Sequence, residues 1–328
     1  MAHKILLDCD PGADDALALY FALAHPELEL LAVTTTYGRV PLAQATRNAL
    51  LLCALAGRAG LPVCSGVPTP LRKVMGLHDP QSHGLDGLGD LPAQMTAVQG
   101  ADERSAARCI VELARAHPGE LALVCAGPLG NVAQALRLEP QLPELLGRLV
   151  VAGGSITAPG DVSPVAELNF WLDPHAADQV LTAGFPLVML GLDVSQIAPL
   201  PLAWLEALAE QGPHPALTAL AHAVRVQASA RAAYETGEPA CPSGGLLGLL
   251  YVLQPGLFQT TTGRVRVVPE GLAEGQSIMD RREQLAYAQP GWESERPKIE
   301  AALAMDAATG LALVRNTLGS GWLSARPA

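Results

Sequence analysis

The chain has few aromatic and few charged residues, and its charge is mostly of one sign. Of 328 residues, 4% are aromatic and 16% are charged, with 21 lysine and arginine against 32 aspartate and glutamate. The net charge is −11 and no cluster of basic residues is present. Because a surface that binds phosphates needs clustered lysine and arginine, we expect no nucleic-acid partner. With 49% hydrophobic residues, the composition also excludes intrinsic disorder.

Two other features are absent from the sequence. The six cysteines include no Cys-x-x-Cys pair (Cys9, Cys53, Cys64, Cys109, Cys125, Cys241). The apolar run that follows Lys4 reaches an acid at Asp8, too early for a signal peptide, and the run from Leu246 to Leu253 is too short to cross a bilayer. We therefore expect a soluble, cytoplasmic protein without a membrane partner.

The most informative segment is acidic and lies near the start of the chain. It reads Asp8-Cys9-Asp10-Pro11-Gly12-Ala13-Asp14-Asp15, four carboxylates in eight residues. The pattern predicts a buried strand at Ile5 to Leu7 and a helix from Ala16 to Ala24, so the acids lie at a strand-to-helix junction. In open α/β sheets such junctions bind ligands, and a hard cation with oxygen ligands would hold the acids together.

A plainer interpretation of the acids is that they cap the helix. Asp is a good N-cap and acids in a first turn complement the helix dipole, which accounts for Asp14 as well as a site does. It accounts poorly for Asp8 and Asp10, because an acid beside a buried strand costs desolvation unless it is paired or liganded. The sequence therefore favours a metal or substrate site.

Strand-like and helix-like segments alternate through the first two thirds of the chain. The predicted strands are 28–35, 61–64, 121–125, 148–151 and 186–192, and the predicted helices are 42–56, 104–116, 129–137 and 174–182. The strands are continuously apolar, which is typical of a mainly parallel, open sheet flanked by helices. Beyond residue 197 we predict a largely helical part: two helices within 199–233, one at 246–253, a strand at 263–268 and a closing helix at 297–313. No linker divides the chain, so we expect a single α/β domain over 1–328.

Further polar groups follow the predicted strands. Ala126 to Asn131 follows one strand with a turn whose carbonyls could bind calcium, although it also suits an ordinary βα turn. Glu167 and Asn169 are two residues apart and would point the same way on an extended backbone, and Asp193 ends another strand. Between residues 76 and 92 we predict a long loop that contains His78, Asp79, His83, Asp86 and Asp90.

These motifs together resemble the calcium-dependent nucleoside hydrolases of the inosine-uridine-preferring type. The resemblance covers 4–195 closely and rests on eight short segments in order: 8–15, 32–35, 46–49, 83–89, 127–131, 167–169, 173–174 and 191–193. The family hydrolyses the N-glycosidic bond of ribonucleosides to ribose and a free base. The resemblance implies a nucleoside as the substrate and a homo-oligomer as the assembly.

The resemblance also implies roles for individual residues. Asp10 and Asp15 would bind Ca²⁺ together with the backbone carbonyl of Ala126, and Asp10 would be the general base for a calcium-bound water. Asp14 and Asn169 would hold ribose hydroxyls. Two further residues would contact the substrate, Glu167 at the far end of the sugar and His83 from the glycine-rich loop. Trp171 and Tyr234 are candidates to stack on the base, although a core position suits Trp171 better.

The sequence departs from the family pattern at two places. The family usually carries Asn after the glycine that follows the second strand, and this chain has Gly38-Arg39. The family also has a late His-Asp-Pro motif whose Asp completes the calcium site, and Gly244 and Gly245 stand there in this chain. The nearest acid–proline pair is Glu238-Pro239, so Glu238 is an alternative ligand.

Three functions follow from these patterns. We expect a ribonucleoside hydrolase that uses a calcium-bound water. The alternative is a noncatalytic or repurposed relative that binds a nucleoside, ribose or another small ligand without a complete metal site. An aspartate-nucleophile phosphohydrolase is disfavoured, because its chemistry requires Thr or Val soon after Asp10 in place of Pro11-Gly12.

Overall fold

The computed structural model describes residues 2–73, 83–91, 100–197, 199–232, 237–282, 287–293 and 295–323. Its centre is a nine-stranded sheet. The nine strands are β1 His3–Cys9, β2 Leu28–Thr35, β3 Val63–Ser65, β4 Ala122–Cys125, β5 Arg148–Ala152, β6 Leu187–Leu190, β9 Phe258–Val267, β10 Ser277–Asp280 and β11 Ile299–Met305. They lie in the order β10-β9-β11-β6-β5-β4-β1-β2-β3. A separate two-stranded ribbon pairs β7 Leu200–Pro201 with β8 Ala240–Cys241.

Seven neighbouring strands of the large sheet, from β3 to β11, run parallel, and β9 and β10 complete one edge in antiparallel pairing. Successive side chains of a strand point to opposite faces. Leu7 therefore packs in the apolar cluster on one face and Leu6 in the cluster on the other, and both side chains are fully buried. Burial on both faces explains why these strands are continuously apolar in sequence.

Helices cover both faces of the sheet. They are α1 Ala13–Ala24, α2 Leu42–Leu55, α3 Ala106–Ala116, α4 Gly130–Leu138, α5 Leu142–Leu145, α6 Leu168–Leu172, α7 Pro174–Leu181, α8 Leu192–Ser195, α9 Leu202–Gln211, α10 Pro215–Arg231, α11 Gly244–Leu253 and α12 Ala307–Leu318. A 3₁₀ turn at Pro255–Leu257 leads into β9. The predicted open, mainly parallel α/β sheet flanked by helices is confirmed.

The predicted closing helix at 297–313 is wrong. Residues Ile299–Met305 form β11, which pairs parallel with β6 and antiparallel with β9, and the helix begins only at Ala307. Alanine and leucine favour a helix locally, but pairing inside the sheet outweighs that preference. The last strand of the chain therefore lies between β6 and β9.

In the described part of the chain, no helix combines the length and the apolar character needed to cross a membrane. The longest helix, α10, has 17 residues and contains two arginines.

Candidate active site

The carboxyl ends of the parallel strands meet at one cavity of about 1000 Å³. Residues in the segments that follow five of these strands line it: Asp10 after β1, Gly38 and Arg39 after β2, Ala126 after β4, Gly153 after β5 and Gly191 after β6. Parallel strands bring these chain positions together although they are far apart in sequence. The cavity volume suits a ligand of nucleoside size.

The eight residues expected to form the site all line this cavity. They are Asp10, Asp14, Asp15, His83, Ala126, Glu167, Asn169 and Glu238. Seven of them come from loops and helix starts that follow strands or lie in the glycine-rich loop. Glu238 is exposed, in contrast to the buried carboxylates of Asp10 and Asp15.

Asp10 and Asp15 form the acidic centre of the cavity. The backbone N–H of Asp10 donates to Oδ2 of Asp15 at 3.1 Å, and the N–H of Arg39 donates to Oδ2 of Asp10 at 3.0 Å. Burial, together with the charge of the nearby Asp14, raises the pKa of Asp10 to about 7, although the hydrogen bond and the charge of Arg39 oppose the rise. Burial and the same neighbouring acid raise the pKa of Asp15 well above its usual range. Two desolvated acids of this kind require positive charge to stay ionised together.

Two glycines allow the backbone to approach Asp10. A Cβ at Gly38 would lie 1.8 Å from Oδ2 of Asp10, and a Cβ at Gly127 would lie 2.7 Å from its Oδ1. No side chain fits at either position without displacing the carboxylate. The two glycines therefore fix the place of Asp10 from both sides.

Asp8 supports the site from within the sheet. It is fully buried and accepts hydrogen bonds from Oγ1 of Thr34 at 2.6 Å and from Nδ2 of Asn131 at 2.7 Å. Burial raises the pKa of Asp8 to about 6, and these two donors oppose the rise. Its contacts tie β1 to β2 and to the start of α4.

Asn169 holds the carboxyl ends of two strands together. Its Nδ2 donates to the carbonyl oxygens of Ala126 and Ala152, both at 3.0 Å. The side chain amide therefore presents its Oδ1 toward the cavity that Asn169 lines. The carbonyl of Ala126 already accepts one hydrogen bond and keeps one lone pair for a ligand.

The expectation that Glu167 and Asn169 share an extended backbone is wrong. Glu167 is the N-cap of α6, and its Oε1 accepts from the N–H of Asn169 at 2.9 Å. Its Oε2 accepts from the N–H of Gly154 at 2.8 Å and of Phe170 at 3.1 Å. A helix begins here because the carboxylate satisfies its first donors. Burial, with the charge of Asp161, raises the pKa of Glu167 to about 7.

The described part of the long loop, 83–91, is held by its own acids. Asp86 accepts from the N–H groups of Leu88, Asp90 and Leu91 at 2.7 to 2.8 Å, so it shapes the loop. His83 is buried and lines the cavity. His78 and Asp79, which were predicted to belong to this loop, lie outside the described residues.

Asp193, which follows β6, also has a supporting place. Its carboxylate accepts from the N–H groups of Ile156 and Thr157 at 2.7 Å and of Ala158 at 3.0 Å. Partial burial raises the pKa of Asp193, but these donors and the Thr157 hydroxyl outweigh it, so that the pKa lies below the usual range. Asp193 therefore anchors the loop that leads from β5 to Glu167.

Sequence reasoning missed three cavity residues that carry chemistry: Asp161, Gln227 and Arg231. Gln227 is 2% exposed, and its Oε1 has no hydrogen-bond partner among the described residues. Helix α10 was predicted, but no motif marks Gln227 or Arg231 as facing a site. Of the two aromatic candidates, Trp171 packs against Lys73, whose Nζ lies 3.2 Å from the ring centroid, and Tyr234 lies outside the described residues.

The residues present do not fit a complete calcium cage. Calcium takes six to eight oxygen ligands, and its affinity depends on their number and charge. Gly245 stands beside the acidic centre, since a Cβ there would lie 3.3 Å from Oδ1 of Asp15, yet it offers no side-chain ligand. Among the residues that the structure describes, no three His, Cys, Asp or Glu side chains form a group that could hold one metal ion, Glu238 included. Arg39 adds a positive charge to the same cavity.

The sequence profile of the inosine-uridine preferring nucleoside hydrolases matches residues 5–311. The chain belongs to this family. It is 35% identical over 288 residues to an inosine-uridine preferring nucleoside hydrolase of Leishmania major, covering 86% of this chain and 89% of the relative. It is 35% identical over 281 residues to a pyrimidine-specific ribonucleoside hydrolase of Enterobacter, covering 85% and 88%.

The fold agrees with that of solved nucleoside hydrolases. A plant nucleoside hydrolase superposes with a TM-score of 0.90 at 30% identity, covering 98% of this chain and all of the other. By class the chain is therefore an N-glycosyl hydrolase, a family that is generally metal-dependent. The expected enzyme class is confirmed.

Proposed function

We propose that this nucleoside hydrolase cleaves the N-glycosidic bond of ribonucleosides in the cavity at the carboxyl edge of its sheet, with Asp10 as the general base. One observation carries the proposal. The residues expected to act as the general base and to hold the sugar, Asp10, Asp14, Glu167 and Asn169, come from two distant segments of the chain and line the same cavity.

The reaction requires one water and one base. Asp10 accepts a proton from the water, whose oxygen bonds to C1′ of the ribose as the bond from C1′ to the base nitrogen breaks. The nucleobase leaves with the bonding electron pair and takes up a proton from solvent. A buried carboxylate whose pKa is raised to about 7 is a competent base near neutral pH.

The sugar would be held by groups with free acceptor or donor capacity. Asp14 is half-buried, and Asn169 offers its amide oxygen to the cavity, so both suit the 2′- and 3′-hydroxyls. Glu167, whose backbone donors fix its carboxylate, suits the far end of the sugar. Negative charge around the ring also stabilises the positive charge that develops on C1′.

The family resemblance also implies that the site binds calcium. Asp10, Asp15 and the Ala126 carbonyl are the residues that would bind it, and when bound the ion would acidify the attacking water. Because the described donor set is one carboxylate short, no step of the proposed reaction depends on the ion.

The test is release of ribose. The purified full chain is incubated with inosine, uridine, cytidine and adenosine, with and without calcium, and reducing sugar is measured. We expect release from at least one nucleoside and a loss of about 10³-fold in kcat for Asp10→Asn, because general-base catalysis contributes that much.

The control is Asp306→Asn, which changes an exposed N-cap of α12 in the same way. It should leave kcat within about twofold, because asparagine caps a helix as well as aspartate does and Asp306 does not line the cavity. No ribose from any of the four nucleosides under any metal condition would contradict the proposal.

A second candidate is a repurposed relative that binds a nucleoside or ribose without hydrolysing it. Gly244 and Gly245 favour it, because neither can supply the acid or the ligand of a late His-Asp pair. Isothermal titration of the wild-type chain with ribose and inosine distinguishes the two: binding without ribose release supports the binder.

We also propose that the chain is one domain and works in the cytoplasm, as its sequence pattern suggests, and that it forms a homo-oligomer, as the family resemblance implies. Light scattering on the purified protein tests the oligomer. A monomeric mass would contradict it.

A further inference from the structure

Arg39 lies beside the acidic centre and is held there by the backbone. It follows β2, is half-buried and lines the cavity. Its N–H donates to Oδ2 of Asp10 at 3.0 Å, and the preceding residue, Gly38, is packed against the same carboxylate. These backbone contacts fix the start of the side chain at the acidic centre, and the side chain lines the same cavity as the acids.

The guanidinium acts on several carboxylates at once. Its positive charge opposes the burial-induced rise in the pKa of Asp10, of Asp15 and of Asp161. Within the described residues, no carboxylate oxygen comes within 4.0 Å of the Arg39 guanidinium. The charge of Arg39 therefore acts on these carboxylates from beyond ion-pair distance.

The acidic centre is also short of a side chain on its opposite side. A Cβ at Gly245 would lie 3.3 Å from Oδ1 of Asp15, so a carboxylate at this position would join Asp15 directly. Three carboxylates with a divalent cation carry a net charge of −1, and two carboxylates with one guanidinium carry the same net charge. A centre with Gly245 in place of a third acid, and Arg39 in place of the cation, therefore keeps the same net charge.

We propose that Arg39 replaces the divalent cation in this chain: its guanidinium supplies the positive charge that Asp10 and Asp15 require, so that hydrolysis proceeds without bound calcium. The inference rests on the proposed nucleoside hydrolysis. Arg39 is permanently charged and does not depend on metal supply. It also repels a second cation from the same carboxylates, which a calcium site would need to attract.

The first measurement is calcium binding by isothermal titration calorimetry on the full chain after treatment with EDTA. We expect no binding heat for the wild type up to about 1 mM calcium, the weak end of protein calcium sites. The variant Arg39→Asn/Gly245→Asp removes the guanidinium and adds the third carboxylate. It should bind calcium with a Kd of about 10⁻⁴ M or tighter.

The second measurement is activity with the substrate that the wild type cleaves. EDTA should change wild-type kcat by less than about twofold. Arg39→Ala should lower kcat by roughly 100-fold, the usual effect of removing one fixed charge-stabilising group, and calcium should not restore it. Added guanidinium ion at low millimolar concentration should restore part of the loss, which a purely structural role of Arg39 would not allow.

The matched control is Arg108→Ala, in an exposed helical residue paired with Glu112. It should keep full activity and show no response to guanidinium. An aspartate at 245 would approach the Cβ of Ala126, 2.8 Å from the new Cβ, so thermal denaturation must first show that the double variant folds. Arg39→Ala keeps Gly245 and tests the proposal independently of that contact.

The outcomes separate this inference from the proposed function. Calcium binding by the wild type, or loss of its activity in EDTA with recovery in calcium, overturns the role of Arg39. A folded double variant that binds no calcium also overturns it. If the wild type releases no ribose under any condition, the proposed function fails. The two calorimetric titrations then still decide whether Arg39 stands in place of the cation.

Discussion

The four aspartates of the acidic segment differ because their surroundings differ. Asp8 has two side-chain donors and faces the interior, whereas Asp10 and Asp15 face the cavity and share one backbone hydrogen bond. Asp14 is half-buried and raises the pKa of both cavity acids through its charge. The residue types alone indicate a site here, whereas burial and neighbouring groups determine which role each aspartate can have.

Activity should depend on the protonation of Asp10. Burial raises its pKa to about 7, and a general base acts only when it is deprotonated. We therefore expect log kcat/KM to rise with slope near one as the pH increases toward 7 and to level off above it. Steady-state kinetics from pH 5 to 9 in EDTA measures this. A flat profile down to pH 5 would show that another group is the base.

At the scale of elements, the site is a property of the strand ends. Each parallel strand delivers one short segment to the same edge, and glycines let these segments approach one another. The turn after β2 is the tightest example, because the backbone at Gly38 touches the carboxylate that follows β1. The position of one element's backbone thus sets the reactive geometry of another.

Gly38→Ala should therefore lower activity far more than stability. Its Cβ would lie 1.8 Å from Oδ2 of Asp10, and displacing a catalytic group by about 1 Å can cost about 100-fold in rate. Gly60→Ala is the matched control, since Gly60 is exposed and its Cβ would meet no atom within 4 Å. Ribose release by the two variants measures the difference. Equal activities would show that Asp10 has room to move.

At the scale of the whole molecule, a strand from the C-terminal part of the chain lies within the sheet. β11 lies between β6 and β9, and Ala301 on it is fully buried. The edge that carries the cavity residues after β6 therefore depends on a strand about 100 residues further along. The local residue pattern does not indicate this strand pairing, because 297–313 is rich in helix-favouring residues.

A charge within β11 should unfold the molecule. Ala301→Lys buries an ammonium group without a partner, and we expect it to lower the free energy of unfolding by more than about 3 kcal/mol. Ala308→Lys, on the exposed side of α12, should change that free energy by less than about 1 kcal/mol. Urea denaturation followed by circular dichroism compares them. Similar midpoints would mean that β11 is not buried in the sheet.

The sequence alone predicts the class of fold, the acidic segment and eight of the residues that line the cavity. Continuous apolar strands indicate a parallel sheet, and acids beside such strands are too costly to be incidental. It also exposed the departures at Arg39 and Gly245, because they interrupt recognisable motifs.

How these segments come together follows from the tertiary structure. It capped a helix with Glu167, made a strand of residues 299–305, and brought Gln227 from α10 to the cavity. It also placed Arg39 and Gly245 around one pair of buried acids. These outcomes depend on pairing and burial between distant segments, and such contacts override local preference because they exist only in the folded chain.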